Sequence, residues 1–129
     1  MSRNVIVIGG VALGPKAASR LKRLDPTANV TMIDENINIS FGGCGIPYYV
    51  SGEINSLHAL RSTTYGTVRT PEYFEHKGVH TLNQTRVTAI DRAAKTVTAK
   101  NLVTGEEKAL PYDRLIIATG STPKVPPVE

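Results

Sequence analysis

The fold is decided by a ten-residue stretch with the sequence VIVIGGVALG, which runs from Val5 to Gly14. It begins with four consecutive β-branched residues, the pattern of a strand that is buried on both faces of a parallel sheet. Gly9 and Gly10 follow at once, so the chain can turn sharply where the strand ends. The stretch therefore predicts a buried strand, a glycine-rich turn and the start of a helix.

The residues after this turn complete a βαβ unit. A helix is predicted from Pro15 to Leu24, with Ala17, Leu21 and Leu24 as its apolar stripe. A second buried strand is predicted from Asn29 to Ile33 because the run there is again short and apolar. The order of strand, glycine turn, helix and strand is that of a dinucleotide-binding unit.

Two acidic residues, Asp34 and Glu35, follow the second strand directly. In a dinucleotide-binding unit the pyrophosphate lies at the helix N-terminus, and an acid about 20 positions after the last glycine binds the ribose hydroxyls. Asp34 occupies that position. Val11 stands where the G-x-G-x-x-G pattern has its middle glycine, so a βαβ unit with a glycine-rich turn and no ligand stays open as the alternative.

The single cysteine, Cys44, lies in the sequence SFGGCGIPYY, residues 40–49. Three glycines beside it allow the backbone to come close to a ligand, and Pro47 is suited to the first turn of a following helix. A thiol at a helix N-terminus is stabilised as the thiolate. A lone cysteine is otherwise commonly a small buried hydrophobic residue, but the glycines favour a reactive thiol that stacks against a flat cofactor.

The second half of the chain changes from helical to alternating hydrophobicity. A helix is predicted to begin at Pro71, with Thr70 as its N-cap, and to stop at Gly78. Strands are then predicted over Val79–Leu82, Arg86–Ile90, Thr96–Lys100, Glu107–Leu110 and Leu115–Ala118.

Composition limits the classes of function. The chain has 129 residues, 40% of them hydrophobic and 20% charged, as expected for one soluble domain. It has two Phe and no Trp, which argues against an aromatic surface for nucleic acid. We find no signal peptide, no stretch of transmembrane length and no cluster of metal ligands, and one cysteine cannot form an internal disulfide. We therefore expect a cytoplasmic protein with no metal site and no nucleic-acid or membrane partner.

The net charge of +4 comes partly from a cluster of basic residues on the first helix. Such a cluster suits a phosphorylated small ligand better than a nucleic-acid duplex. A solvated helix face is the alternative for each residue taken singly. The cluster consists of Lys16, Arg20, Lys22 and Arg23.

These motifs together resemble the N-terminal FAD-binding part of the single-cysteine pyridine nucleotide-disulfide oxidoreductases. The resemblance rests on residues 5–14, on the cysteine motif and on YDRLIIATG, residues 112–120. Within that family the chain is most similar to coenzyme A-disulfide reductases and to NADH-dependent persulfide or polysulfide reductases. The resemblance implies an α/β fold: a Rossmann-like FAD/NAD(P)-binding domain with a parallel sheet and a small antiparallel β-meander crossover.

The resemblance also implies how the chain relates to a larger protein. Residues 1–129 would form the N-terminal part of the FAD-binding domain and carry the redox cysteine. The nicotinamide-binding and dimerisation domains of the family would lie outside this chain, and the parent protein is expected to be a homodimer. The fragment alone is expected to be inactive.

Roles for individual residues follow from the same resemblance. Cys44 would be the catalytic nucleophile, FAD the bound cofactor and NAD(P)H the reductant in the parent protein. The substrate would be coenzyme A disulfide or another low-molecular-weight disulfide, persulfide or polysulfide. The implied FAD-binding residues are Gly9, Gly10, Gly14, Asp34, Glu35, Val87, Ala118, Thr119 and Gly120, and the implied substrate-binding residues are Lys16, Arg20, Arg23, Ser40 and Gly43.

Two other functions stay open at this point. An NADH peroxidase or oxidase of the same family would use a sulfenic acid on Cys44 in place of a mixed disulfide. A nucleotide-binding module or thiol sensor would have no turnover of its own. The basic residues of the first helix favour a phosphorylated thiol, because peroxide or oxygen would give them nothing to bind.

Overall fold

The computed structural model describes residues 2–127 of the chain. A short 3₁₀ turn, Gly43–Gly45, precedes the second helix, and another, Ala59–Arg61, precedes the third. The helices and strands, in chain order, are β1 (Asn4–Ile8), α1 (Leu13–Leu24), β2 (Asn29–Ile33), α2 (Ile46–Val50), α3 (Pro71–Glu75), β3 (Val79–Leu82), β4 (Thr85–Asp91), β5 (Thr96–Asn101), β6 (Glu107–Pro111) and β7 (Arg114–Ile117).

A parallel sheet of four strands, in the order β3-β2-β1-β7, forms the centre of the protein. β1 lies between β2 and β7, with Ile8 paired to both Ile33 and Ile117. The four residues from Val5 to Ile8 are all buried. The predicted buried strand is therefore confirmed, and the β-branched run is explained by burial on both faces.

The two faces of the sheet are covered by different elements, because successive side chains of a strand point to opposite sides. Val7 packs with Ala18 of α1 and Phe74 of α3. Ile6 and Ile8 belong to a second cluster on the other face. The buried members of that second cluster are Ile6, Ile8, Ile33, Val97 and Ala99, of which the last two come from β5.

The strands β4, β5 and β6 form a separate antiparallel sheet. This meander lies between β3 and β7 in the chain, so it is the crossover of the parallel sheet. The Rossmann-like α/β fold with a small antiparallel meander is thereby confirmed. Val79–Leu82 was predicted together with the alternating strands, but it pairs in parallel with β2 and extends the central sheet.

The predicted apolar stripe of α1 is confirmed at Leu21, which packs against the first core cluster, but it is wrong at Leu24. Leu24 is 66% exposed, and the buried residues of the helix are Gly14, Pro15 and Ala18. Small residues face the sheet because they allow the helix to approach it closely, whereas Leu24 is the last residue of the helix. The helix also begins at Leu13, two residues before the predicted start.

Candidate functional site

A large cleft of about 910 Å³ lies at the carboxyl ends of β1, β2 and β7. Parallel strands end at the same edge of a sheet, and ligands of open α/β sheets bind at that edge. The cleft is lined by Ile8, Gly9, Val11, Ala12, Leu13, Ile33, Asp34, Glu35, Asn36, Thr85, Arg86, Val87, Ile117, Ala118, Thr119, Gly120, Ser121 and Thr122.

The floor of this cleft is a turn that only glycines can form. Gly9 has a φ of 107°, and a Cβ there would collide with the carbonyl of Ala118. A Cβ on Gly14 would collide with the carbonyl of Gly9. The two glycines therefore allow β1, α1 and the end of β7 to meet at backbone distance, which leaves the cleft open above them.

The N-terminus of α1 faces the same cleft through Val11, Ala12 and Leu13. Its N-cap, Ala12, makes no side-chain hydrogen bond to the helix, and the first turn contains no acidic residue. The first N–H groups of a helix have no partner within the helix and carry partial positive charge. With no side chain capping them, they form a site suited to a phosphate or pyrophosphate group.

Asp34 directly follows β2 and is buried, with 7% of its surface exposed. Its Oδ2 accepts a hydrogen bond from the Gly10 N–H at 2.6 Å. Its Oδ1 accepts from the N–H and the side-chain amide of Asn36, at 2.8 and 2.9 Å. The carboxylate therefore fixes the glycine turn to β2, and it also borders the cleft.

Glu35 is more open than Asp34 and joins the cleft to the meander. Its Oε2 accepts a hydrogen bond from Nε of Arg86 at 2.7 Å. Arg86 and Val87 of β4 both line the cleft. An acidic and a basic group thus meet at the end of the cleft bordered by the meander.

The structure brings seven of the nine predicted cofactor residues to the lining of one cleft. Gly10 and Gly14 lie outside that lining: Gly10 is tied through its N–H to Asp34 and through its carbonyl to Ser40, and Gly14 packs on Gly9. Sequence reasoning missed Asn36 and Arg86 as lining residues. Their positions in the sequence could have identified them, because Asn36 follows the predicted Glu35 and Arg86 precedes the predicted Val87.

A second, smaller cleft of about 330 Å³ lies on the other side of the α1 N-terminus, and shares Val11 and Ala12 with the first. Three of the predicted substrate residues, Lys16, Arg23 and Ser40, line it, together with Arg69 and Lys77, which were not predicted. We call it the basic cleft. Its other lining residues are Pro15, Ser19, Phe41, Gly42, Tyr73 and Phe74.

The remaining basic residues of α1 differ in their roles. Lys22 donates to the carbonyls of Pro26 and Ala28, at 2.7 and 2.9 Å, and so holds the loop after the helix. Arg20 is exposed and lies outside the lining of the basic cleft. The predicted basic cluster therefore divides into cleft residues, a structural lysine and a surface arginine.

Another part of the lining of the basic cleft comes from α3, through Tyr73 and Phe74. This helix begins as predicted, with the Thr70 hydroxyl accepting a hydrogen bond from the Tyr73 N–H at 3.4 Å. The same hydroxyl lowers the pKa of the Glu72 carboxyl through a hydrogen bond. In a comparable contact after α1, the Thr27 hydroxyl lowers the pKa of Asp25.

Cys44 is exposed, in the 3₁₀ turn that leads into α2. The predicted helix with Pro47 in its first turn is confirmed. The neighbouring glycines differ: a Cβ on Gly45 would collide with the Leu60 side chain, whereas a Cβ on Gly43 would meet no atom within 4 Å. The thiol and Gly43 therefore face open space, beside the basic cleft that Gly42 lines.

Residues 2–127 contain no group of three or more His, Cys, Asp or Glu side chains that could hold a metal ion. None of the helices described here has the length and apolarity needed to cross a bilayer.

The chain is similar to known oxidoreductases. The family model described as pyridine nucleotide-disulphide oxidoreductase matches residues 3–129. The chain is 36% identical over 124 residues to an NADH oxidase of Enterococcus faecalis, which covers 96% of this chain and 26% of that protein. It is 32% identical over 120 residues to a coenzyme A disulfide reductase of Staphylococcus haemolyticus, which covers 92% of this chain and 26% of that protein.

A solved structure is similar over nearly the whole chain. The NAD-dependent persulfide reductase of A. fulgidus superposes with a TM-score of 0.91 and 47% sequence identity, covering 98% of this chain and 23% of that protein. The chain thus spans about a quarter of the length of these relatives.

Proposed function

The chain belongs to the pyridine nucleotide-disulphide oxidoreductase family, and we propose that the whole protein reduces a low-molecular-weight disulfide or persulfide with NAD(P)H, using FAD and Cys44. The observation that carries the proposal is the placement of an exposed thiol beside a basic cleft, with a nucleotide-type cleft across the α1 N-terminus. The relatives named as coenzyme A disulfide reductase and persulfide reductase support this substrate class.

The large cleft has the features that FAD requires. The glycine turn at Gly9 lets the end of β1 lie against the backbone of Ala118, and the uncapped N-terminus of α1 would hold the pyrophosphate. Asp34 and Glu35 would face the ribose, and Val87 would lie against the adenine. Bound FAD would supply the transfer of two electrons from NAD(P)H to sulfur. The remaining residues of the proposed site are Ala118, Thr119 and Gly120, which line the same cleft.

Cys44 would act as the nucleophile. Its thiolate attacks one sulfur of a disulfide RS–SR, so that a Cys44–S–S–R bond forms, the original S–S bond breaks and RS⁻ leaves. Two electrons and one proton then convert the mixed disulfide into the Cys44 thiolate and RSH. A second protein thiol is not needed, which agrees with the single cysteine of the chain.

The basic cleft would bind the charged part of the substrate. Lys16 and Arg23 bring two positive charges to it, and Ser40 borders it. Arg and Lys bind phosphate groups through charge-assisted hydrogen bonds. Coenzyme A disulfide is therefore the substrate that we propose, with Gly43 leaving space beside the thiol.

A second candidate function uses the same thiol. In an NADH oxidase or peroxidase, the Cys44 thiolate would attack peroxide, forming a sulfenate and releasing water. Two electrons and two protons would then restore the thiolate and release a second water. The 36% identity to an NADH oxidase favours this alternative. It would leave the basic cleft without a ligand. A nucleotide-binding module without turnover is the third candidate function.

The proposal is tested by replacing the nucleophile in the flavin-containing whole protein. Cys44→Ser should abolish NAD(P)H-dependent reduction of coenzyme A disulfide, while FAD stays bound because the residues proposed to hold its nucleotide part are unchanged. A variant that keeps its turnover would overturn the assignment of the nucleophile. Wild-type protein that consumes NADH with peroxide, but not with the disulfide, would support the second candidate.

A further inference from the structure

A hairpin of residues 61–69 joins the cysteine turn to the basic cleft. Ser62 and Val68 pair as an antiparallel bridge, and the Arg69 N–H donates to the Arg61 carbonyl at 2.9 Å. The turn at its tip is closed by a 2.8 Å hydrogen bond from the Thr63 N–H to the carbonyl of residue 67. The segment is therefore an ordered arm, which we call the 61–69 hairpin.

The base of this hairpin is fixed to the cysteine turn by Leu60. The Leu60 carbonyl accepts a hydrogen bond from the Gly42 N–H at 2.7 Å, and its buried side chain fills the space where Gly45 lacks a Cβ. Both contacts lie within two residues of Cys44. The hairpin thus has a defined position relative to the thiol.

The other end of the hairpin brings Arg69 to the basic cleft. Arg69 immediately precedes Thr70, the N-cap of α3, and so its backbone is held on both sides. The cations of the cleft therefore come from separate parts of the chain. Lys16 and Arg23 come from α1, Arg69 from the hairpin, and Lys77 from the turn after α3.

These cations are not neutralised within the described protein. Over residues 2–127, none of the side chains lining the basic cleft is acidic, and Arg69 takes part in no salt bridge. Lys77 is held by its neighbour Tyr73, with Nζ 2.6 Å from the hydroxyl and 4.2 Å from the ring centroid. Of the two cations that line the cleft beyond α1, half-buried Arg69 is the one with no side-chain hydrogen bond or salt bridge among the described residues.

We propose that Arg69 is a specificity-determining residue, which binds a second anionic group of a ligand whose first anionic group is bound by Lys16 and Arg23. This inference rests on the proposed function and adds the requirement that the substrate carries two separate phosphate groups. Arg suits such a role because its planar guanidinium binds a phosphate through two parallel hydrogen bonds. A cleft of about 330 Å³ is within the range of small-molecule sites.

The test measures the binding of two nucleotides to the flavin-saturated whole protein by calorimetry. Adenosine 3′,5′-bisphosphate carries two phosphate groups, and adenosine 5′-monophosphate carries one. Arg69→Ala should weaken binding of the bisphosphate about tenfold or more and change binding of the monophosphate less than twofold, because it removes one charged hydrogen-bonding group. Arg69→Lys should retain part of the affinity, since it keeps the charge and loses the fork.

The matched control is Arg92→Ala, which removes the same charge from the exposed turn after β4 and should change neither affinity. Arg69→Gln provides a second neutral variant in case Arg69→Ala lowers flavin content. Equal losses for both nucleotides, or no loss for either, would overturn the inference.

The two proposals fail in different ways. Wild-type protein that binds neither nucleotide would overturn the role of Arg69 and the phosphorylated substrate together. Selective loss in Arg69→Ala, in a protein that does not reduce coenzyme A disulfide, would uphold the inference and overturn the proposed reaction.

Discussion

The glycine turn after β1 and the glycine turn around Cys44 use the same residue type for opposite purposes. At Gly9 and Gly14 the space of the missing Cβ is filled by the protein's own backbone. At Gly43 that space is empty, and the adjacent thiol is exposed. The first turn is therefore determined by the fold itself, whereas the second leaves space at Gly43, which we propose that a substrate uses. The comparison therefore separates glycines that are needed for folding from a glycine that is not.

The largest expected effect is on the turn that the protein closes on itself. Gly14→Ala places a methyl group of α1 against the backbone carbonyl of Gly9, which directly follows β1. We expect a loss of about 3 kcal/mol or more in the free energy of unfolding, at the upper end for overpacked sites. Denaturant titration of the flavin-containing protein measures it.

The matched control for this prediction is Gly43→Ala. Its Cβ would meet no atom within 4 Å, so the free energy of unfolding should change by less than about 0.5 kcal/mol. Similar losses in the two variants would remove the distinction between the turns.

A smaller effect is expected at Asp34. Asp34→Ala leaves the buried Gly10 N–H without its acceptor, which should cost about 1–3 kcal/mol in the free energy of unfolding of flavin-depleted protein. Glu35→Ala, which removes an exposed ion pair with Arg86, should cost less than about 1 kcal/mol in the same experiment. If Asp34→Ala lowers only flavin affinity and leaves unfolding unchanged, then Asp34 is a ligand contact and does not anchor the turn.

These cases show what the sequence could predict. Gly9 and Asp34 were identifiable because a positive φ and a strand-end carboxylate are local requirements that fix the residue type. The helix at Pro71 was identifiable for the same reason, from its N-cap and its proline. Cys44 stood out because it is the single thiol of the chain.

What could not be predicted depends on packing between distant segments. The segment that contains the 61–69 hairpin shows no hydrophobic period, so its pairing and the position of Arg69 have no local signal. The face of α1 was assigned from the helical spacing of Ala17, Leu21 and Leu24. Close helix–sheet contact instead buries the small residues Gly14, Pro15 and Ala18. Alternation identified Val79–Leu82 as a strand, but not the sheet that it joins.

The smallest expected effect concerns the helix that borders the basic cleft. The Thr70 hydroxyl lowers the pKa of Glu72 below its ordinary value of 4.5, so the charged carboxylate stabilises the folded state. That stabilisation is present above pH 4.5 and is lost as the pH falls through the lowered pKa. The stability difference between wild type and Glu72→Gln should therefore be largest near neutral pH and disappear in acid.

The measurement is a series of denaturation curves between neutral pH and pH 3 for both proteins. Thr70→Val, which removes the hydroxyl, should reduce the pH dependence of that difference. A difference that is constant over this range would show that the pair does not contribute to stability through the charge of Glu72.

One measurement shows whether the exposed turn presents Cys44 to a disulfide substrate. It is the intact mass of the flavin-containing whole protein after incubation with coenzyme A disulfide. We expect an increase by one coenzyme A in the wild type and none in Cys44→Ser. No adduct on the wild type, together with an added oxygen on Cys44 after peroxide treatment, would contradict it and support the sulfenic acid mechanism.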